Sequence, residues 1–170
     1  MPLLPPLSAT EAGEAQGPLE SLREKLGQVP NMYRTFAHAP LVLDAAVSMA
    51  KAVRTVLDAK TRELAYLKVV EITDCHVCRH YHVEHGRRAG LTDEQIRDLL
   101  PFEESAAYTG GQKDVLRFTE QWTLTGRVAD DVLARLRAAF TPGQLVTLAA
   151  TVAQANLTCR FNNVFGVELP

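Results

Sequence analysis

From Leu19 onward, apolar residues recur at three- and four-residue spacings and no stretch alternates apolar with polar like a strand, so the chain has to be assembled from helices. The breaks between periodic runs are short, which predicts an all-α helical bundle and weighs against a parallel α/β sheet. The spacing predicts helices over about 19–26, 32–37, 41–55, 59–72, 75–89, 93–100, 112–124, 130–140 and 142–165. Several ends carry their own signals: Asp58 suits an N-cap, Gly90 a C′ position, and Thr92 with Gln95 a capping box. Thr141, Pro142 and Gln144 together form a strong start for the last helix, and Gly166 suits its end. Residues 1–17, rich in Pro, Ala, Glu and Gly without periodicity, are expected to be a mobile tail or an arm that orders against a neighbouring subunit. That leaves 18–170 as a single helical domain.

Charge narrows the partners. A formal net charge of -2 gives no electrostatic reason to expect nucleic acid or an anionic membrane, so small molecules or proteins are the expected partners. The one hydrophobic stretch that no charged residue interrupts, Leu145 to Leu157, is too short to span a membrane and contains Gln154 and Asn156. The first residues lack a basic segment followed by an apolar block, which makes the cytoplasm the expected compartment. Two of the three cysteines lie three residues apart; in a cytosolic chain such a pair signals redox chemistry or metal binding.

The stretch Asp74 to His85 holds two of the three cysteines and four of the five histidines. Asp74 or Thr73 as N-cap would place Cys75 at the first helical position and Cys78 one turn in. There the unpaired backbone N–H groups and helix dipole stabilise a thiolate, and such sites lower a thiol pKa to roughly 3.5–7.5. Cys75, Cys78 and His82 share a helix face. Glu63 precedes Cys75 by twelve residues, about 18 Å along an unbroken helix, so it reaches the site only if the chain turns at Thr73–Asp74. Without that turn it is an ordinary solvated glutamate.

Bland roles are expected around this core. His80 and His85 read as surface residues, Arg79, Arg87 and Arg88 as a solvated face, Tyr66 and Tyr81 as core or interface, and Cys159 as a buried structural thiol. The segments Leu57 to Cys75 and Phe140 to Cys159 echo each other, each running from a capping residue through an amphipathic helix to a cysteine. The residues themselves leave two chemistries open: thiol redox, or a tetrahedral zinc site of Cys75, Cys78, His82 and a further His or Glu63. A c-type haem is excluded, because Arg79 stands where CxxCH requires histidine.

The pattern Glu63, eleven residues, Cys75-x-x-Cys78, three residues, His82 resembles the CxxC-containing alkylhydroperoxidase D branch of the carboxymuconolactone decarboxylase-like family. Gly27-x-x-Pro30-Asn31-Met32-Tyr33, Pro40, Ala89-Gly90-Leu91-Thr92 and Arg160-Phe161-Asn162-Asn163 with Gly166 extend the resemblance over most of the chain after Gly17. The resemblance implies that family's all-helical fold and a thiol-dependent hydroperoxide reductase without cofactor or metal. It also implies roles: Cys78 attacks the peroxide, Cys75 resolves the sulfenic acid to a disulfide, and Glu63 and His82 relay protons. A hydroperoxide substrate, a dithiol or lipoyl-type reductant and a homo-oligomer, commonly a trimer or hexamer, follow from the same resemblance. The family pattern carries a histidine directly before the second cysteine; this chain has Val77 there and His76 one position earlier. The alternatives are a thiol–disulfide adaptor or redox sensor with little peroxidase turnover, and a decarboxylase- or isomerase-type relative.

Overall fold

Each predicted periodic run forms a helix. The computed structural model describes residues 1–170 and contains nine α-helices, one short 3-10 turn and no strand. Contacts divide the chain into two units, Met1–Lys51 with Arg160–Pro170, and Ala52–Cys159.

In the first unit, a 3-10 turn at Gly13–Ala15 leads into α1 (Gln16–Leu26), followed by α2 (Asn31–Phe36) and α3 (Pro40–Ala52), whose last residue lies across the unit boundary. Leu19, Leu22, Phe36 and Leu43 form its core, with Phe161 packed against them. Phe36 and Phe161 have ring centroids 4.3 Å apart. The first residues, expected as a mobile tail or as an arm ordered against a neighbouring subunit, make contacts within this unit. The Leu3 N–H donates to the Phe165 carbonyl at 2.8 Å, and Arg34 Nε donates to the Leu7 carbonyl at 2.8 Å. Ala12 and Ala15 are buried, and small apolar side chains that find a core hold a segment whose sequence has no period.

The second unit contains α4 (Ala59–Thr73), α5 (His76–Arg88), α6 (Asp93–Arg97), α7 (Gly110–Thr125), α8 (Asp130–Ala139) and α9 (Pro142–Phe165) as far as Cys159. α4 is its central element: every residue from Glu63 to Val70 is buried, and α4 packs against both α5 and α7. A helix covered on all sides loses its amphipathic stripe, so Glu63 and Lys68 become buried charges. Lys68 is fully buried; its ammonium donates to the Leu99 carbonyl at 2.8 Å, pairs with Glu120 at 2.7 Å and sits 4.4 Å from the centre of the Phe102 ring. The expected caps form: Asp58 Oδ1 accepts from Thr61 N–H, Thr92 and Gln95 close a capping box, and Thr141 and Gln144 exchange the same pair of bonds. Thr109 and Gln112 form a further box, which starts α7 two residues before the predicted position. No helix is long and apolar enough to cross a membrane.

The connection between α4 and α5 positions the site. Asp74 adopts left-handed backbone angles (φ 49°, ψ 47°) and is the C-cap of α4, not the N-cap of α5. It is the one non-glycine residue with positive φ, a conformation that aspartate tolerates better than most side chains. Its N–H and that of Cys75 donate to carbonyls of Glu71 and Val70, so the chain reverses within two residues. Arg79 on α5 then pairs with the Glu71 carboxylate on α4 and clasps the two helices together.

Candidate redox site

The tight reversal shifts the cysteines by one position from the sequence expectation. Cys75 is itself the N-cap of α5, with extended backbone angles (φ -90°, ψ 95°), and His76 is the first helical residue. Cys78 therefore falls at N3, within the turn whose N–H groups lack intrahelical partners. Because Cys75 has left helical geometry, its side chain is released from the fixed spacing of an i,i+3 helix pair. All three cysteines are reduced and buried: Cys75 and Cys159 are fully covered, and Cys78 is 5% exposed.

Cys159 is more than a distant structural thiol. From α9 it meets the pair, and the three Sγ atoms lie within 4.8 Å of one another. Hydrogen bonding with Cys75 and Cys78, then burial and the charge those two can carry, push the Cys159 thiol far above the ordinary range. It therefore remains S–H. The echo between the segments ending at Cys75 and at Cys159 was the one sequence signal that pointed toward it.

The Thr73–Asp74 reversal also brings Glu63 to His82. His82 Nδ1 and Glu63 Oε2 are 2.7 Å apart; with Nδ1–H as donor, Nε2 is left to take up or release a proton. Glu63 is only 2% exposed. Burial pushes its carboxyl up, but the hydrogen bond with His82 and the charges of His82, Arg62 and His85 outweigh burial and hold it below its ordinary value. Arg62 Nε lies 3.3 Å from the other carboxylate oxygen. The His82 ring is stacked on Tyr66, with centroids 3.5 Å apart and planes inclined by 10°. The Tyr66 hydroxyl is 2.5 Å from Thr158 Oγ1. Tyr66 belongs to the same buried cluster as all three cysteines.

His85, expected on the surface, is half-buried one turn beyond His82, with ring centroids 5.4 Å apart. Burial, followed by the charge of His82, lowers its pKa, and its Nδ1 is covered without a hydrogen-bond partner. His80 is exposed as expected. Val77 points into the core at 3% exposure, whereas His76 is exposed. The roughly 100° of helix rotation between successive residues thus turns His76 away from the core that Val77 enters.

Potential metal ligands fall into two sets, Cys75–Cys78–Cys159 and Glu63–His82–His85, each with ligand atoms within 4.8 Å. The mixed zinc set of Cys75, Cys78 and His82 does not form such a group, because the thiols gather toward α9 while His82 turns to Glu63.

The carboxymuconolactone decarboxylase family model matches residues 40–121, which include Glu63, Cys75, Cys78 and His82. The uncharacterized protein YdfG of Bacillus subtilis (strain 168) is 29% identical over 112 residues, covering 65% of this chain and 76% of YdfG. The alkylhydroperoxidase AhpD core of a peroxidase-related protein from Ralstonia eutropha JMP134 superposes with a TM-score of 0.81 at 20% identity, over 98% of this chain and 91% of that one. A variant of the debrominase Bmp8, in complex with 2,3,4-tribromopyrrole, superposes with a TM-score of 0.81 at 15% identity, over 99% and 91% of the two chains. The match over residues 40–121 and the shared all-helical fold make this chain similar to the carboxymuconolactone decarboxylase family and to the alkylhydroperoxidase AhpD core in fold.

Proposed function

We propose that the protein is a thiol-dependent hydroperoxide reductase. The observation that carries this reading is a buried pair of reduced cysteines at the start of α5, followed one turn later by a histidine hydrogen-bonded to a buried glutamate at 2.7 Å. In the reaction, the Cys78 thiolate attacks one oxygen of the O–O bond; the S–O bond forms, the O–O bond breaks, and the leaving alkoxide is protonated to an alcohol. His82 supplies that proton, and Glu63 orients its ring and stabilises the imidazolium. Cys75 then attacks the Cys78 sulfenic acid, forming a disulfide and releasing water. A dithiol, such as a lipoyl group, returns both thiols to the reduced state by exchange.

Burial favours this reading over a thiol–disulfide adaptor. A mixed disulfide with a protein partner requires an accessible sulfur, while Cys78 is 5% exposed and Cys75 fully covered; a small hydroperoxide or a slender dithiol arm fits such a site better. The homo-oligomer belongs to the same proposal and is supported by exposed Leu124, Val146 and Leu157 in the second unit. Val77 makes the thiol surroundings more apolar than the family pattern, and the likeness to a debrominase adds a second candidate reaction, reductive removal of halide from a small ring. Stopped-flow mixing of reduced protein with an organic hydroperoxide, and separately with a brominated pyrrole, tests both: oxidation of the thiols by the hydroperoxide supports the proposal, whereas oxidation by the halide alone would replace it.

A further inference from the structure

We infer that Cys159 is a second resolving thiol, able to close a disulfide with Cys78 in competition with Cys75. This rests on the reading of Cys78 as the thiol that is oxidised. The three Sγ atoms lie within 4.8 Å of one another, and Cys159 is fully buried. Forming an S–S bond of about 2.05 Å requires the two Cβ atoms to come within about 3.5–4.5 Å. Cys78 and Cys159 stand on different helices, so their approach is free of the i,i+3 spacing that burdens a pair within one helix. Both are held in one cluster with Tyr66, Val152 and Ala155, and no solvent thiol needs to enter for the step to occur.

The step balances without a further reagent once a hydroperoxide has oxidised Cys78. Cys159 sulfur attacks the sulfenic sulfur of Cys78; the S–S bond forms, the S–O bond breaks, and the departing hydroxide takes the Cys159 proton to become water. The same contacts explain why Cys159 waits. While Cys75 and Cys78 can carry negative charge, hydrogen bonding with them and their charge keep Cys159 protonated. Oxidation of Cys78 to the neutral sulfenic acid removes one of those charges and supplies the electrophile. The dry surroundings that slow reduction from outside also leave a sulfenic acid exposed to a second peroxide, and two neighbouring thiols shorten that interval.

The test uses full-length Cys75→Ser protein and two oxidants. With limiting organic hydroperoxide, the variant is expected to lose two thiols per chain and to yield a Cys78–Cys159 linked peptide on non-reducing digestion and mass spectrometry. Cys78 accumulating as sulfenic or sulfinic acid with Cys159 still a thiol would overturn the inference. Diamide, which oxidises neighbouring thiols without any peroxide, separates this inference from the proposed peroxidase activity. A Cys78–Cys159 link with diamide, absent in Cys75→Ser/Cys159→Ala, sustains the inference even if peroxide is not consumed; failure to link with diamide overturns it.

Discussion

Replacing Glu63 with glutamine separates what this carboxylate does for the chemistry from what it does for the fold. The side chain keeps its shape, and the amide oxygen can still accept from His82 Nδ1–H, now at 2.7 Å from the carboxylate. What is lost is the charge. A hydrogen bond to a charged group contributes about 1.5–3 kcal/mol, against about 0.5–1.5 for a neutral one. If that difference of about 1–2 kcal/mol falls on the step in which His82 carries positive charge, the rate drops by roughly 5- to 30-fold, since 1.36 kcal/mol is tenfold. Stability moves less, because the same substitution removes the desolvation cost of a nearly fully buried ion. Urea unfolding at pH 7 should therefore shift by less than about 1.5 kcal/mol in either direction. The pH dependence has a definite sign. The folded Glu63 pKa lies below its ordinary value of 4.5, so its contribution is present above that value and is lost as pH falls through the folded pKa. Wild type should lose more stability than Glu63→Gln on titration from pH 7 to pH 3. Thiol oxidation by an organic hydroperoxide, followed by stopped flow, reads the rate. An unchanged rate in a folded variant would refute the role assigned to Glu63, and a parallel acid titration would refute the account of its charge.

Other expectations follow from particular contacts. Lys68→Ala removes the partner of the Leu99 carbonyl and Glu120 and opens a cavity beside Phe102, so it should cost about 3–5 kcal/mol in urea unfolding, with Lys68→Met costing less because it retains volume. Asp74→Gly should be neutral or stabilising by up to about 1 kcal/mol, since the backbone there is left-handed, whereas the β-branched Asp74→Val should destabilise by about 1–2 kcal/mol. Tyr66→Phe keeps the stack on His82 and loses the bond to Thr158; it should retain most thiol-oxidation rate, and Tyr66→Leu should lower it severalfold, measured in the same stopped-flow assay.

The fold was largely legible because helix periodicity and caps are local. Asp58, Thr92–Gln95 and Thr141–Gln144 act where their spacing placed them, and α9 has the predicted bounds. Misplacements came where tertiary contacts override local rules. Asp74 has the chemistry of an N-cap, yet a two-residue reversal uses it as a left-handed C-cap and passes the N-cap role to Cys75. Within the site, the pairing of Glu63 with His82 followed from a turn that the residues suggested. Cys159 lies 81 positions beyond Cys78 in sequence, and only the packing of α9 brings it to the pair. His85 was unreadable for a related reason: its burial depends on what covers α5, and a polar helix with few apolar positions gives little indication of that.

The most direct measurement of the proposed activity is a single-turnover titration of reduced wild type and Cys78→Ser with one equivalent of organic hydroperoxide, counting alcohol produced and thiols remaining. Wild type, with three reduced cysteines, should convert the equivalent to alcohol and retain one thiol, while Cys78→Ser should leave the hydroperoxide intact and keep its remaining two thiols. Hydroperoxide untouched by wild type, or consumed equally by both proteins, would contradict the assignment of Cys78 as the attacking thiol.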